Sequence, residues 1–171
     1  MTNHLKGILM TFIGVVILSP DSVLIRLTDA DSWTVLFYRG LLMSIGVMML
    51  LLITYRSKTI VEFKKIGRGG LWIGWLHGIM TGTFVFAIMH TSIANTLVII
   101  STGPIWIAII AWLTLRERAS LVTWLAMIIV FIGIYIVMSA NFGGQSIVGD
   151  IFALITAILM GFTFTLVRKY K

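Results

Sequence analysis

The stretch of residues 69–115 contains no Lys, Arg, Asp or Glu, and this lack of charge restricts the possible folds more than any other feature. A water-soluble domain carries about 25% charged residues, so its surface cannot accommodate such a stretch. A helix needs about 20 apolar residues to cross a bilayer, and this stretch is too long for one crossing. It fits two helices with a tight turn, which we predict at the polar cluster of His90, Thr91, Ser92 and Asn95. The chain is therefore predicted to lie in a membrane.

The composition of the whole sequence also indicates a membrane protein, since 59% of all residues are hydrophobic and only 11% are charged. Charged residues separate the remaining apolar stretches, which mark the spans. Besides the two helices within 69–115, the predicted spans are residues 7–27, 33–55, 121–138 and 150–167. The predicted fold class is therefore all-α: a polytopic integral membrane protein with six transmembrane helices.

The basic residues indicate how these spans are oriented. With the N-terminus inside, 11 of the 13 Lys and Arg residues fall on the inner side, whereas Asp29 and Asp31 lie in the first outer loop. Cytoplasmic loops of membrane proteins are enriched in Lys and Arg. We therefore predict that both termini are cytoplasmic in the inner or plasma membrane. The net charge of +7 then reflects topology and contact with the lipid bilayer, and no nucleic-acid partner is expected.

Three stripes of small residues are expected to mediate helix packing, because helices in lipid associate by close backbone approach. An alternative is that they form sliding surfaces for a rocking motion. The stripes are Gly74, Gly78 and Gly82 in the third span, Gly149, Ala153, Ala157 and Gly161 in the sixth, and Gly40 and Ser44 in the second.

Asp21 and Arg39 are charged residues within predicted spans, and such residues are costly in lipid unless they have a role. At 1.5 Å per residue, both lie about 8–9 Å below the outer edge of the membrane. Equal depth and opposite charge predict an ion pair. The pair would serve as a structural tie, as a gate, or as a binding point for a polar substrate.

Four further residues are candidates for the lining of a polar cavity. His77 lies inside the third span and would either carry protons or hydrogen bond to a neighbouring group. Pro104, like Pro20, is expected to break a helical hydrogen bond within a span, and broken helices mark binding sites in many transporters. Asn95 and Thr156 supply polar groups within apolar spans.

The sequence gives no support for an enzyme. It lacks the zinc-protease, nucleophile-elbow and P-loop motifs, and its few His, Asp and Glu residues are scattered. Cys is absent. We therefore predict no catalytic residue, no metal site and no cofactor.

The order of features resembles the EamA family of the drug/metabolite transporter superfamily. The segments that carry the resemblance are residues 19–26, residues 33–40, and residues 94–118 with their mid-helix proline. On this resemblance Arg26, Arg39, Pro104 and Glu117 occupy family positions. We expect Glu117 to pair with a nearby basic residue or to cap a helix rather than to contact substrate.

The resemblance implies a permease that moves a small metabolite by alternating access. Typical members have ten helices in two inverted five-helix repeats. On this basis residues 1–140 form the first five-helix repeat, and residues 141–171 form a loop and the first helix of an incomplete second repeat. The chain is then expected to be a truncated form whose second half is missing, or to form a homodimer. The alternatives are a non-transporting membrane subunit or inert fragment, and a membrane enzyme with an unrecognised site.

Overall fold

The structure of the chain is a computed structural model that describes residues 3–56, 59–116, 121–139 and 146–170. Every regular element in these residues is an α-helix, which agrees with the predicted fold class. In chain order the helices are α1 (Asn3–Leu18), α2 (Asp21–Leu27), α3 (Ser32–Tyr55), α4 (Thr59–Lys65), α5 (Gly67–His90), α6 (Ile93–Ile100), α7 (Gly103–Leu115), α8 (Leu121–Ser139) and α9 (Ile147–Lys169).

Five helical segments of the described chain are long and apolar enough to cross a membrane. They are Leu5–Leu27, Ser32–Tyr55, Gly67–His90, Ile93–Leu115 and Ile147–Lys169. Each coincides with a predicted span. The remaining predicted span falls on α8, whose apolar stretch Leu121–Gly133 is shorter than these five. Five membrane-spanning helices are therefore supported, and the sixth stays a prediction.

Two of these segments are each broken into two helices near the two prolines of the chain. α1 ends at Leu18 and α2 begins at Asp21, with Pro20 between them. Similarly, Ile100 ends α6, and Pro104 lies in the first turn of α7. Proline lacks an N–H group, so it is tolerated in the first turn of a helix but interrupts a continuous one. The breaks predicted at both prolines are therefore present.

Side chains cap the first turns of α3 and α6. The Asp31 carboxylate accepts hydrogen bonds from the backbone N–H groups of Trp33 (3.1 Å) and Thr34 (3.2 Å) at the start of α3. The Thr34 hydroxyl also donates to Asp31, and this bond, together with the backbone bonds, lowers the pKa of the Asp31 carboxyl. Ser92 Oγ accepts from the backbone N–H of Asn95 at 3.0 Å and begins α6. The turn between α5 and α6 thus lies where it was predicted.

α9 is the central helix of the bundle and packs against α5, α6 and α7. Its buried residues include the predicted stripe of Gly149, Ala153, Ala157 and Gly161. A Cβ atom placed on Gly149 would lie 2.6 Å from the backbone nitrogen of Thr91. One placed on Gly161 would lie 2.9 Å from the backbone carbonyl carbon of Trp106. Helices approach this closely only where the side chains are small, so the packing role of this stripe is confirmed.

The other two small-residue stripes do not pack as predicted within the described chain. No atom lies within 4 Å of a Cβ placed on Gly40, Gly74 or Gly78, and one on Gly82 meets only the Leu36 side chain, at 3.6 Å. The reason is the course of α3, which contacts α5 near its own beginning and has exposed residues from 40 to 50. The prediction was wrong at these positions because no helix follows the glycines of α5 along their whole length.

The two ends of the bundle differ in charge. At one end α2, α5 and α9 meet, because Arg26 donates to the carbonyl oxygen of Thr91 and the Thr91 hydroxyl donates to Asp150. We call this the acidic end, since it also carries the carboxylates of the loop before α3. At the opposite end Tyr170 packs against Gly69. We call this the basic end, because the helix ends and first turns there carry Arg56, Arg68, Arg116, Arg168 and Lys169.

Candidate functional site

Asp21 of α2 and Arg39 of α3 form an ion pair near the acidic end, with 2.7 Å between Oδ1 and Nη1. The exposed fractions of the Arg39 and Asp21 side chains are 20% and 32%, so the pair is partly shielded. Arg39 also lies over the ring of Phe84 in α5, with 5.7 Å between Cζ and the ring centroid. This distance is typical of a cation–π interaction. The pairing that was predicted from equal depth is therefore present.

The same arginine retains a hydrogen-bond donor. The Nε atom of Arg39 is buried and has no hydrogen-bond partner within the described residues. A guanidinium group offers five N–H donors, and among the described residues the hydrogen bond of Arg39 goes to Asp21. Arg39 therefore has a donor left for a hydrogen bond to an anionic or polar group, while its ion pair with Asp21 stays intact.

Arg26 binds to the end of another helix rather than to a carboxylate. Its Nη1 donates to the carbonyl oxygens of Ile88 at 2.5 Å and Thr91 at 2.8 Å. The last carbonyl groups of a helix have no partner within the helix, and a cation there also opposes the negative end of the helix dipole. Arg26 thus caps α5, and together with Asp21 it holds the short helix α2 to both α5 and α3.

A cavity of about 540 Å³ lies between α3, α5 and the first half of α9. We call it the aromatic cavity, and its lining residues are Trp33, Leu36, Trp75, Gly78, Ile79, Gly82, Thr83, Phe86 and Phe152. Phe86 is at its centre, since its ring lies edge-on to Trp33 (5.0 Å between centroids) and tilted against Phe152 (5.4 Å). The glycines of α5 that no helix covers supply the space for this cavity.

One hydroxyl pair crosses the wall of the aromatic cavity. Thr156 Oγ1 of α9 lies 2.8 Å from Thr83 Oγ1 of α5 and also 2.8 Å from the carbonyl oxygen of Phe152. Thr156 is almost fully buried. These hydroxyl groups are the main polar feature of an otherwise apolar wall, and they link two helices that would have to separate if the cavity opened.

The structure does not bring the other predicted site residues to this cavity. The His77 side chain is exposed, and Pro104 is an exposed residue in the first turn of α7. Asn95 is 95% buried near the acidic end, where its Oδ1 atom has no hydrogen-bond partner within the described residues. Glu117 lies outside the described residues.

Sequence analysis missed most residues of the aromatic cavity. Its four aromatic residues, Trp33, Trp75, Phe86 and Phe152, were not among the predicted site residues. A signal for part of it was available, since Gly78, Gly82 and Phe86 are spaced by four residues and share one face of α5. The contribution of α3 and α9 depends on tertiary packing and has no local signal.

Within the described residues, no group of three or more His, Asp or Glu side chains is placed to hold a metal ion. The fold defines a polytopic α-helical membrane protein with two broken spans and with an apolar cavity between three other helices. The sequence profile of the EamA-like transporter family matches residues 5–139. The chain belongs to this family, whose members are transporters rather than enzymes. No curated protein and no solved structure matches the chain.

Proposed function

We propose that the chain moves a small, largely apolar metabolite across the membrane by alternating access, and that the aromatic cavity binds this substrate. Membership of the EamA-like transporter family supports transport as the activity. The observation that carries the choice of site is the cavity itself, which is about 540 Å³ in volume and has four aromatic side chains in its lining. Ligand sites typically measure 300–1,000 Å³ and are lined mainly by apolar and aromatic groups.

The polar groups of the cavity favour a substrate with few hydrogen-bonding atoms. Thr83 and Thr156 already bond to each other, so a substrate that lacks polar atoms leaves no buried hydroxyl unpaired. Aromatic faces such as those of Phe86 and Phe152 favour flat rings, which stack with centroids 4.5–7 Å apart. A small, flat and largely apolar solute therefore fits best.

We further propose that α2 acts as a gate at the acidic end. The break at Pro20 separates α2 from α1, so α2 can move without bending a continuous helix. Asp21 and Arg26 fasten it to α3 and α5 respectively. Opening would then break the ion pair between Asp21 and Arg39. His77, Asn95 and Pro104 keep the role of secondary cavity candidates that another conformation would bring into use.

The proposal includes six spans, with both termini in the cytoplasm and the basic end facing inward in the cytoplasmic membrane. It also includes a second set of helices, from a second copy or from the second half of a ten-helix protein. Support comes from α1 and α3, because residues 5–18 are almost all exposed and so are residues 40–50. Alternating access requires a partner surface for such faces to rock against.

Transport is tested with the full chain in proteoliposomes and a panel of small neutral aromatic and aliphatic solutes. Phe86→Ala is expected to lower the uptake of the best solute by about twofold to tenfold, since an aromatic contact contributes about 0.5–1.5 kcal/mol. The matched control is Phe131→Ala, because Phe131 is 53% exposed on α8 and α8 supplies no residue to the cavity. Equal effects of the two variants would contradict the choice of site. A well-inserted protein that moves no solute would favour a non-transporting subunit instead.

The gate is tested with Asp21→Asn, Arg39→Gln and the double variant. Each single variant leaves one charge unpaired and is expected to lower both transport and the free energy of unfolding. The double variant is expected to recover roughly 1 kcal/mol relative to the sum of the singles, because the pair is only partly shielded. If the double variant is no better than the worse single variant, the ion pair does not act as a unit.

The topology is tested separately with reporter tags. A tag placed after Met138 is expected in the outer compartment, whereas one placed after Lys171 is expected in the cytoplasm. Finding both tags in one compartment would contradict the six-span arrangement. Crosslinking of the purified chain in detergent would show whether the partner surface comes from a second copy.

A further inference from the structure

A second cavity lies at the basic end of α5, away from the Asp21–Arg39 ion pair and from the proposed gate helix α2. It measures about 520 Å³ and is lined by Arg68, Leu71, Trp72 and Trp75. These residues are spaced by three or four positions, so they form one face of the first two turns of α5. The Trp72 and Trp75 rings lie edge to face with 5.8 Å between centroids, so they form one aromatic wall.

The depth of these residues matches the layers of a bilayer leaflet. Arg68 is the second residue of α5, so it lies at the level of the lipid headgroups. At 1.5 Å per residue, Trp72 lies about 6 Å deeper and Trp75 about 10 Å deeper, which reaches the first carbons of the acyl chains. The lining of the cavity is thus cationic at the headgroup level and apolar deeper in the membrane. A single phospholipid has the matching order of an anionic headgroup and apolar chains.

The charge at the mouth has no counterpart in the described part of the chain. The single ion pair among the described residues is Asp21–Arg39, near the acidic end. The whole sequence holds only 6 acidic residues against 13 basic ones. Arginine binds phosphate oxygens through paired N–H donors, and these bonds are stronger when both partners are charged. Among the described residues, therefore, no carboxylate pairs with Arg68, and a phosphate group would supply the missing anion.

We propose that this cavity binds one anionic phospholipid, with its phosphate on Arg68 and its upper acyl chain against Leu71, Trp72 and Trp75. The exposed fractions of these three apolar side chains are 67%, 58% and 61%, so a bound chain has a wide surface to cover. Trp75 also lines the aromatic cavity, so the lipid chain would end beside the proposed substrate site. The lipid site does not depend on that proposed function.

The test is lipid titration of the purified full chain in a neutral detergent, followed by native mass spectrometry. The probes are dioleoyl phosphatidylglycerol, which is anionic, and dioleoyl phosphatidylcholine, which is zwitterionic. One phosphatidylglycerol molecule is expected to bind more tightly than phosphatidylcholine. Arg68→Gln is expected to weaken phosphatidylglycerol about fivefold, because one basic residue near a lipid surface contributes about 1 kcal/mol. Its effect on phosphatidylcholine is expected to be small.

Arg56→Gln is the matched control, since Arg56 is also an exposed arginine at the basic end but lines no part of this cavity. If Arg56→Gln weakens phosphatidylglycerol as much as Arg68→Gln, the attraction is general and the site is refuted. Replacing both tryptophans, Trp72→Ala with Trp75→Ala, is expected to weaken both lipids. If that double variant binds as the unaltered chain does, the acyl contact is refuted.

Competition with an excess of inorganic phosphate shows whether the anion on Arg68 is a lipid headgroup or free phosphate. Phosphate is expected not to displace the bound phosphatidylglycerol, because it cannot replace the acyl contact. Displacement would mean that the site recognises soluble phosphate. Loss of lipid on dimerisation of the chain would assign the cavity to a second copy, and it too would overturn the proposal.

Discussion

The four glycines at positions 74, 78, 149 and 161 allow one chemical change to be compared in two environments. Each lies within a long helix, so Gly→Ala adds one methyl group and the same helix preference at all four positions. At Gly149 and Gly161 that methyl would meet backbone atoms of a neighbouring element at 2.6–2.9 Å. At Gly74 and Gly78 it would meet nothing within 4 Å.

The expected magnitudes follow from these contacts. Alanine is preferred to glycine inside a helix by roughly 0.5–1 kcal/mol, so Gly74→Ala and Gly78→Ala are expected to be neutral or stabilising by that amount. At Gly149 and Gly161 the same gain is opposed by overpacking, which costs about 1–3 kcal/mol. The helix preference is common to the open pair and the packed pair of glycines. The changes in unfolding free energy of the two pairs are therefore expected to differ by about 1–3 kcal/mol. Gly149→Ala is expected to be the worse of its pair, since it meets the closer backbone atoms.

The assay is the free energy of unfolding in mixed detergent micelles, measured by circular dichroism as the denaturing detergent is increased. Gly103→Ala serves as an intermediate case, because its methyl would meet the side chain of Met160 at 2.9 Å, and a flexible side chain can move aside. If Gly78→Ala destabilises the chain as much as Gly161→Ala, another element packs against Gly78 and the space assigned to the aromatic cavity is filled.

Three further predictions concern hydrogen bonds outside this comparison. Arg26→Gln removes the cap of α5 and is expected to increase hydrogen exchange at the last turn of that helix. The free energy of unfolding is expected to fall by only about 1 kcal/mol, because Arg26 is exposed. Unchanged exchange would contradict the capping role. Thr156→Val is expected to cost about 0.6 kcal/mol in unfolding free energy, and its effect should not add to that of Thr83→Val, so additive losses would show that the two hydroxyls are independent. The pKa of Asp31 is lowered in the folded chain, so its cap stabilises α3 above the unfolded pKa near 3.8 and this contribution is lost as the pH falls through the folded value. Asp31→Asn should therefore flatten the loss of stability below about pH 4 in an acid titration, and an unchanged slope would count against the cap.

Signals within a few residues of the chain were sufficient to predict the spans, and the helical rise per residue was sufficient to predict one contact between two of them. The spacing of charges located five membrane-spanning helices, and the two prolines located the breaks, because both signals act within a few residues of the chain. The Asp21–Arg39 pair was predictable as well, since a helix rises by a constant 1.5 Å per residue and depth can be counted from a shared loop. Its pairing distance of 2.7 Å agrees with that count.

The packing of small residues was not predictable in the same way. The stripes that begin at Gly74 and at Gly149 have the same spacing, yet only the second is buried against another helix. The difference lies in the neighbouring helices, because α3 is exposed from residue 40 to residue 50 whereas α7 stays beside α9 as far as Gly161. The aromatic cavity escaped prediction for the same reason, since its walls come from three helices that are distant in the sequence.

The central position of α9 also has a consequence for biosynthesis. The helices that surround it, α5, α6 and α7, all leave the ribosome earlier, and their closest contacts are with α9 rather than with each other. Until residues 147–169 enter the membrane, those earlier helices lack the contacts with α9 that join them into one bundle. Assembly of the bundle is therefore expected to be a late event, completed when the latest-made of the described helices inserts between partners that are already in place.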